Sequence, residues 1–520
     1  MFVDGREGQY HPGPGTDSPA PTPYRMEPSP SRFDAIIVGA GPAGIFAALE
    51  LVRRNGLRVL VLEKGPDIDK RDCPARSTGV CAHCDPCDIT CGWGGAGAFS
   101  DGKLTLSPAV GGWLTDFVPE AELDALIGYV DNVWLDYGAP DVVHGTDPKR
   151  FEHLRREALL HGLTLVAAPV RHVGTERAYK TLTRMRSDLE DEITVATSTE
   201  AVRVMTDNGR VTGVAASDGS EYLADAVLMA PGRQGAGWLI DECRRLGMEI
   251  VVNAVDIGVR VEVPAVVMEP LTDALYEGKL IYYSPTFDDQ VRTFCMNPYG
   301  EVTLENYGDV LTVNGHSYAD ERTGNTNFAL LVSTQFTEPF DDPITYGKSI
   351  ARLANLLGDD ILVQRLGDLQ QGKRSTPERV RRGTVQPTLR GATPGDLSFV
   401  LPYRYLKDIL EMLEAMDALV PGVKARDTLL YGAEVKFYSA RPRLDAGLQT
   451  PIRGLYAVGD GAGVTRGLVQ ASASGILAAR SIVAARAGRD APPRGGGRAS
   501  PRPEDGGRAA RRHPTTRKGP

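Results

Sequence analysis

Five of the seven cysteines fall within residues 73–91, and four of them, Cys81, Cys84, Cys87 and Cys91, follow the pattern Cys-x2-Cys-x2-Cys-x3-Cys. Thiolates at that spacing can wrap a [4Fe–4S] cluster, hold a tetrahedral zinc, or pair as disulfides. The ferredoxin pattern asks for proline after the fourth cysteine, where Gly92 stands, while Cys73 precedes Pro74 in the manner of a remote ligand. All three chemistries stay open at this point. One of the eight histidines, His316, sits in Val313-Asn-Gly-His-Ser317, a string that predicts a turn. There it is either structural or a base able to take a proton from a substrate C–H or N–H. Lys103 ends the glycine-rich stretch Gly92–Lys103. It can serve chemistry with a fixed positive charge or simply pair with Asp101. Arg441 and Arg443 divide in the same way, between holding an anionic substrate and forming ordinary ion pairs.

These side chains need a scaffold, and the N-terminal part of the chain supplies a recognisable one. Residues 34–38 form a short apolar run that enters Gly39-Ala-Gly-Pro-Ala-Gly44, and a helical pattern follows over 45–52. Gly39 and Gly41 let the backbone turn sharply and approach a diphosphate, with Pro42 and Ala43 opening the helix. Gly44 lets helix and strand pack closely, and the helix start offers free N–H groups to phosphate. A second apolar run, 58–62, ends at Glu63 and Lys64. A carboxylate there can accept both hydroxyls of an adenosine ribose. Strand, glycines, helix, second strand and terminal acid occur in the order of a dinucleotide-binding unit. The loop with Gly94 and Gly95 would bring backbone N–H groups to the same ligand. Val202, Ala230 and Gly232 complete the contacts expected from neighbouring strands.

That unit alone does not distinguish FAD from NAD. Near the far end, Thr450-Pro-Ile-Arg-Gly-Leu-Tyr-Ala-Val-Gly459-Asp460 resembles the second fingerprint of FAD-dependent oxidoreductases. The resemblance implies that Asp460 bonds the ribityl chain and that the helix opening near Gly467, Leu468 and Val469 points at the flavin pyrimidine. Further strings, Cys91–Leu104, Val313–Ser317, Asn325–Ser333 and Ser439–Arg443, resemble those of the bacterial FAD-dependent dehydrogenases, related to the NAD(P)/FAD-dependent oxidoreductases of largely unassigned substrate. The likeness covers about 32–487. It implies an α/β fold, a Rossmann-like three-layer FAD-binding domain carrying an inserted mixed α+β substrate domain. FAD is the expected cofactor, with a small-molecule substrate and NAD(P)H or a ferredoxin-like protein as electron partner.

The expected layout is an FAD-binding domain over 32–239 and 426–487, with a substrate domain over 240–425. Within the latter, strand-like runs at 250–263, 279–284 and 329–334 precede a helical stretch at 406–418. Residues 1–31 carry seven prolines and few aliphatic residues, and 488–520 carry nine basic against three acidic residues, so both ends are expected to be disordered. A net charge of −9 argues against a general nucleic-acid binder. No run of about 18 uncharged apolar residues suggests a membrane span, and the expected location is the cytoplasm. A thiol–disulfide reductase, which would use Cys-x4-Cys, fits less well. So do aromatic hydroxylases, because Gly459-Asp-Gly-Ala-Gly463 departs from their Gly-Asp-Ala-x-His. A non-enzymatic flavin- or nucleic-acid-binding module is the alternative from another class.

Overall fold

A computed structural model describes residues 31–74, 82, 84–251, 253–307, 309–318, 321–334, 342–358, 360–437 and 441–490. The glycine turn sits at the centre of a five-stranded parallel sheet in the order 455–457, 227–229, 35–38, 59–62, 194–196. Ala35–Val38 and Val59–Leu62 are apolar and buried on both faces, as strands inside a parallel sheet must be. All five strands share one direction, so their carboxyl ends open on one edge, where open α/β sheets take their ligands. The helix Pro42–Asn55 starts with proline in its first turn and stops at Gly56, which adopts φ 56°. Against it packs the helix Leu468–Asp490, so close that a Cβ on Gly475 would lie 2.0 Å from the Ala43 carbonyl oxygen. By length and composition Leu468–Ala487 could cross a membrane, but 67% of its apolar window is buried within the protein, as befits a core helix. A second, four-stranded sheet runs 31–33, 221–224, 210–216, 201–207.

The other half of the molecule is built on an eight-stranded, mostly antiparallel sheet. Its order is 393–394, 362–365, 429–436, 255–264, 325–334, 290–297, 279–283, 163–166. The central strands Val255–Pro264 and Asn325–Thr334 are almost wholly buried, under a core that includes Met412, Leu413 and Met416 of the helix Tyr403–Leu419. Two segments lie outside the expected limits of 240 and 425. The helix Pro148–Leu160 and strand Leu163–Val166 join this sheet from the N-terminal side, and Leu429–Lys436 joins it from the other. Leu163 and Leu165 are buried while Thr164 between them is exposed, and that half-buried pattern suits the sheet edge they occupy beside 279–283. The expected disordered ends, 1–31 and 488–520, fall almost wholly outside the described residues. Ser31 begins the strand Ser31–Phe33, and the last helix reaches Asp490.

Candidate active site

The carboxyl ends of the parallel strands open into a cavity of about 2470 Å³ that extends across to the eight-stranded sheet. Gly39, Gly41, Pro42, Ala43, Glu63, Lys64, Gly95, Ala230, Gly232, Gly459, Asp460, Gly467 and Leu468 all line it. Gly39 has φ 105°, and a Cβ there would lie 2.1 Å from the Ala230 carbonyl oxygen, so the neighbouring strand demands the glycine. A Cβ on Gly41 would meet nothing within 4 Å. Gly41 is also the N-cap of the helix Pro42–Asn55 and supplies no side-chain cap. The helix start therefore shows uncapped N–H groups to the cavity across a surface without a side chain, which fits a diphosphate.

Four of the expected cofactor residues do not face the cavity. Gly44 works in packing, since its Cβ would lie 2.0 Å from the Gly39 oxygen. Gly94 donates its N–H to the Ala40 oxygen at 2.8 Å, tying its loop to the glycine turn. Val469 is buried within the last helix. Val202 is 44% exposed on the strand Ala201–Asp207, while its neighbours Glu200 and Ala201 reach the cavity. The pairing register shifts between Ala201 and Arg203, and Val202, the extra residue at that bulge, is turned out to solvent.

Glu63 does more than expected. Its Oε2 accepts the Ala40 N–H at 2.8 Å, and its Oε1 accepts those of Gly65 at 2.9 Å and Gly92 at 2.8 Å. Backbone groups thus occupy three of a carboxylate's roughly four acceptor positions. The side chain fastens the glycine turn to the Gly92 loop as well as facing the cavity. Because Cys91 precedes Gly92, the cysteine segment is anchored at this end. Glu63 and Asp460 follow strands three spacings apart, about 14 Å, so Cys91 sits far from the Asp460 end. Cys73, Cys87 and Cys91 line the cavity, Cys84 is exposed, and Cys81 lies outside the described residues. Burial pushes the Cys91 thiol up, against the pull of Lys64. Among the described residues no three His, Cys, Asp or Glu side chains group closely enough to hold a metal ion.

At the other end Asp460 accepts the Thr465 hydroxyl at 3.0 Å and the Gly467 N–H at 3.3 Å. Burial raises its carboxyl above the usual range, and Arg233 opposes the shift. Arg233 begins a chain of alternating charges that the sequence did not announce. It pairs with Glu305 at 3.1 Å, Glu305 with Lys436 at 2.6 Å, Lys436 with Glu434 at 3.3 Å, and Glu434 with Arg260 through two contacts of 2.8 Å. Burial alone would raise Glu305, but Lys436 and Arg233 outweigh it and bring the carboxyl down to about 2. Arg260 and Glu434 are completely buried.

Lys103 lies 3.0 Å from Asp101 and donates to the Met296 carbonyl and Asn297 Oδ1, each at 2.6 Å. Its ammonium protons are engaged within the protein, so the salt-bridge reading is the one found. Burial would lower Lys103, but Asp101 together with Cys295, Glu277 and Tyr276 more than offsets it. The predicted turn around His316 is instead a strand: Leu311–His316 pairs antiparallel with Glu301–Asn306, placing Glu301 opposite His316. Gly315 is required by close approach, since its Cβ would lie 2.1 Å from Asn327 Oδ1 and 2.2 Å from Arg260 Nη1. His316 lines the cavity, shares a hydrogen bond of 3.1 Å between its Nε2 and the Thr175 hydroxyl, and meets Tyr318 edge-on at 4.7 Å. Burial lowers its imidazole, and Asp101 and Glu301 partly restore it. His172, not foreseen as a site residue, pairs across strands with Lys103 and packs 4.8 Å from the Tyr276 ring. Arg441 pairs with Asp116 at 3.0 Å on the cavity wall, whereas Arg443 pairs with Glu249 on the surface.

The two halves of this site match known families separately. Residues 34–90 match the model described as FAD dependent oxidoreductase, and residues 255–437 match that described as FAD-dependent protein, C-terminal domain-like. An uncharacterized protein of Clostridium beijerinckii is 28% identical over 475 residues, covering 86% of this chain and 80% of its own. Among solved structures, L-proline dehydrogenase from P. horikoshii superposes with TM-score 0.39 at 12% identity, over 88% of this chain and 95% of its own. A 3-ketosteroid dehydrogenase from Rhodococcus jostii gives 0.40 at 13%, over 89% and 99%. The chain is an FAD-dependent oxidoreductase, similar in its nucleotide-binding segment to the FAD dependent oxidoreductases and in its eight-stranded region to the C-terminal domain of FAD-dependent proteins.

Proposed function

We propose that FAD lies along the carboxyl edge of the parallel sheet and exchanges hydride with a small molecule held against the eight-stranded sheet. The observation that carries this is the bracketing of one cavity by the uncapped helix start at Gly41 and by Asp460 with the helix start at Gly467. Gly39, Gly41, Pro42, Ala43 and Gly95 hold the diphosphate, Glu63 and Lys64 border the adenosine ribose, and Asp460 bonds the ribityl chain. Ala230 and Gly232 support the same path. Gly467 and Leu468 aim a positive helix end at the flavin pyrimidine. Bound FAD supplies the two-electron acceptor or donor. His316, on the substrate side of the cavity, takes or returns the proton at its imidazole, which burial keeps neutral and therefore basic at neutral pH. Lys103 fixes the wall beside it. The electron partner is NAD(P)H or a ferredoxin-like protein. The free thiols of the described cysteines suit the cytoplasm.

The test is the flavin content of protein purified without air. One FAD per chain is expected, and Asp460→Ala should weaken its binding by about 1.5–3 kcal/mol, the value of a charge-assisted hydrogen bond. Full, unchanged occupancy in that variant would overturn the placement. Iron and zinc analysis of the same preparation decides whether the segment 81–91 holds a metal.

A further inference from the structure

Asp101 and His316 line the same cavity, and His172, the cross-strand partner of Lys103, does not reach it. The backbone carbonyl of Asp101 accepts the Gly174 N–H at 3.0 Å, which ties the Asp101 backbone to the residue preceding Thr175, whose hydroxyl touches His316. His172 lies across the strand pair from Lys103. Tyr276 packs on its ring, His144 packs on Tyr276, and His172 Nε2 is buried without a hydrogen-bond partner. A proton placed on His172 would have no acceptor there, whereas His316 has the Thr175 hydroxyl and Glu301 opposite it.

We propose that Asp101 is the positioning residue for His316, holding the charge that His316 acquires when it takes a proton, and that His172 stays neutral so that the carboxylate serves His316. The groups that act on His316 come from every element around it. Asp101 and Lys103 lie on one loop and strand, Glu301 is its cross-strand partner, Glu176 is on the helix Thr175–Leu189, and His172 is behind. Lys103 opposes protonation of both histidines. It does not neutralise Asp101 alone, because the Met296 carbonyl and Asn297 share its ammonium. Burial takes His172 down to about 4, despite Asp101 beside it. His316, unlike His172, has a hydrogen-bond partner for its Nε2 and an open side toward the cavity.

The role rests on His316 being the proton carrier proposed above, but its test needs neither substrate nor turnover. The imidazole titrations are followed by NMR on full-length, histidine-labelled protein with its flavin. In Asp101→Asn the His316 midpoint should fall by about one pH unit, the lower end of the effect of a neighbouring opposite charge. Asp101→Glu should return it to the wild-type value, which separates loss of charge from loss of structure. His172→Phe should leave it within about a fifth of that shift. An unmoved His316 midpoint in folded Asp101→Asn overturns the proposal, and so does an equal movement in His172→Phe. A slow enzyme with the predicted titrations would instead fault the hydride chemistry and leave this pairing standing.

Discussion

The parallel sheet and the eight-stranded sheet meet at one cavity and use opposite means to shape it. Around the glycine turn the work is done by backbone: helix starts, bare glycine surfaces, and Glu63 gathering the N–H groups of Ala40, Gly65 and Gly92. Across the cavity the work is done by buried side-chain charges, with Arg260, Glu434, Lys436 and Glu305 linked in sequence from core to wall. Backbone dipoles bind any ligand of suitable shape with little reorganisation, and a diphosphate is common to many substrates' cofactors. Placed charges must instead be held by a whole domain. That domain is therefore where the proposed function places substrate choice.

The sharpest way to separate the two regions is through His316, which belongs to the charge-built side. His316→Ala should slow flavin reduction by about 100- to 10,000-fold while leaving FAD content unchanged. Stopped-flow absorbance with any competent substrate measures it, and flavin loss in parallel would make His316 structural. Next in size is Arg260→Met. It removes two of the buried Glu434 carboxylate's contacts and leaves it Lys436 alone, so chemical denaturation should show a loss of up to about 3–5 kcal/mol. A loss near zero would mean that the buried charges are no more than filling.

A third expectation concerns pH. His172 is held at about 4 in the fold against an ordinary 6.5, with burial as the cause. Between those values the unfolded chain binds the extra proton, so stability is complete above pH 6.5 and declines as pH falls toward 4. The decline from this residue is up to about 3 kcal/mol. His172→Gln should flatten that slope in denaturation curves taken across the window, and an unchanged slope would place the buried proton deficit elsewhere. The smallest effect is expected from Glu63→Gln on the backbone-built side. The amide can no longer accept from all three N–H groups, so FAD affinity and stability should both drop by about 1–3 kcal/mol. A fall in affinity alone would show Glu63 acting on the ribose only.

The same contrast explains what could be read from the sequence. Gly39 to Gly44, Glu63 and Asp460 were legible because each acts through local backbone geometry, which fixes residue type at fixed spacing. His316 was found, but its surroundings were misjudged: Asn314-Gly315 suggested a turn, whereas Gly315 is needed to let Arg260 and Asn327 approach the strand. Val202 was lost to a bulge in its strand. Arg233 and His172 went unassigned because their partners are distant in the chain, and Asp101 was considered only as a partner for Lys103. A signal was present in Val255–Pro264, where Asp256, Arg260 and Glu262 alternate with valine and isoleucine. That pattern reads as a half-solvated strand. Here the polar face is buried against Glu434, Asn327 and Thr388, and only the tertiary fold reveals what faces it.

The strand Leu455–Ala457 closes the parallel sheet beside Val227–Met229, and the helix Leu468–Asp490 seats on the helix Pro42–Asn55, which is more than 400 residues earlier. During synthesis at about 5–20 residues per second, the glycine turn would wait roughly 20–80 s for these partners. Until they emerge from the ribosome, the strand 227–229 has an unfilled neighbour position and the first helix has a bare apolar face. Cofactor loading is thus a late event in the life of each molecule. A nascent chain stalled before residue 455 should be a client for chaperones and not a reservoir of flavin.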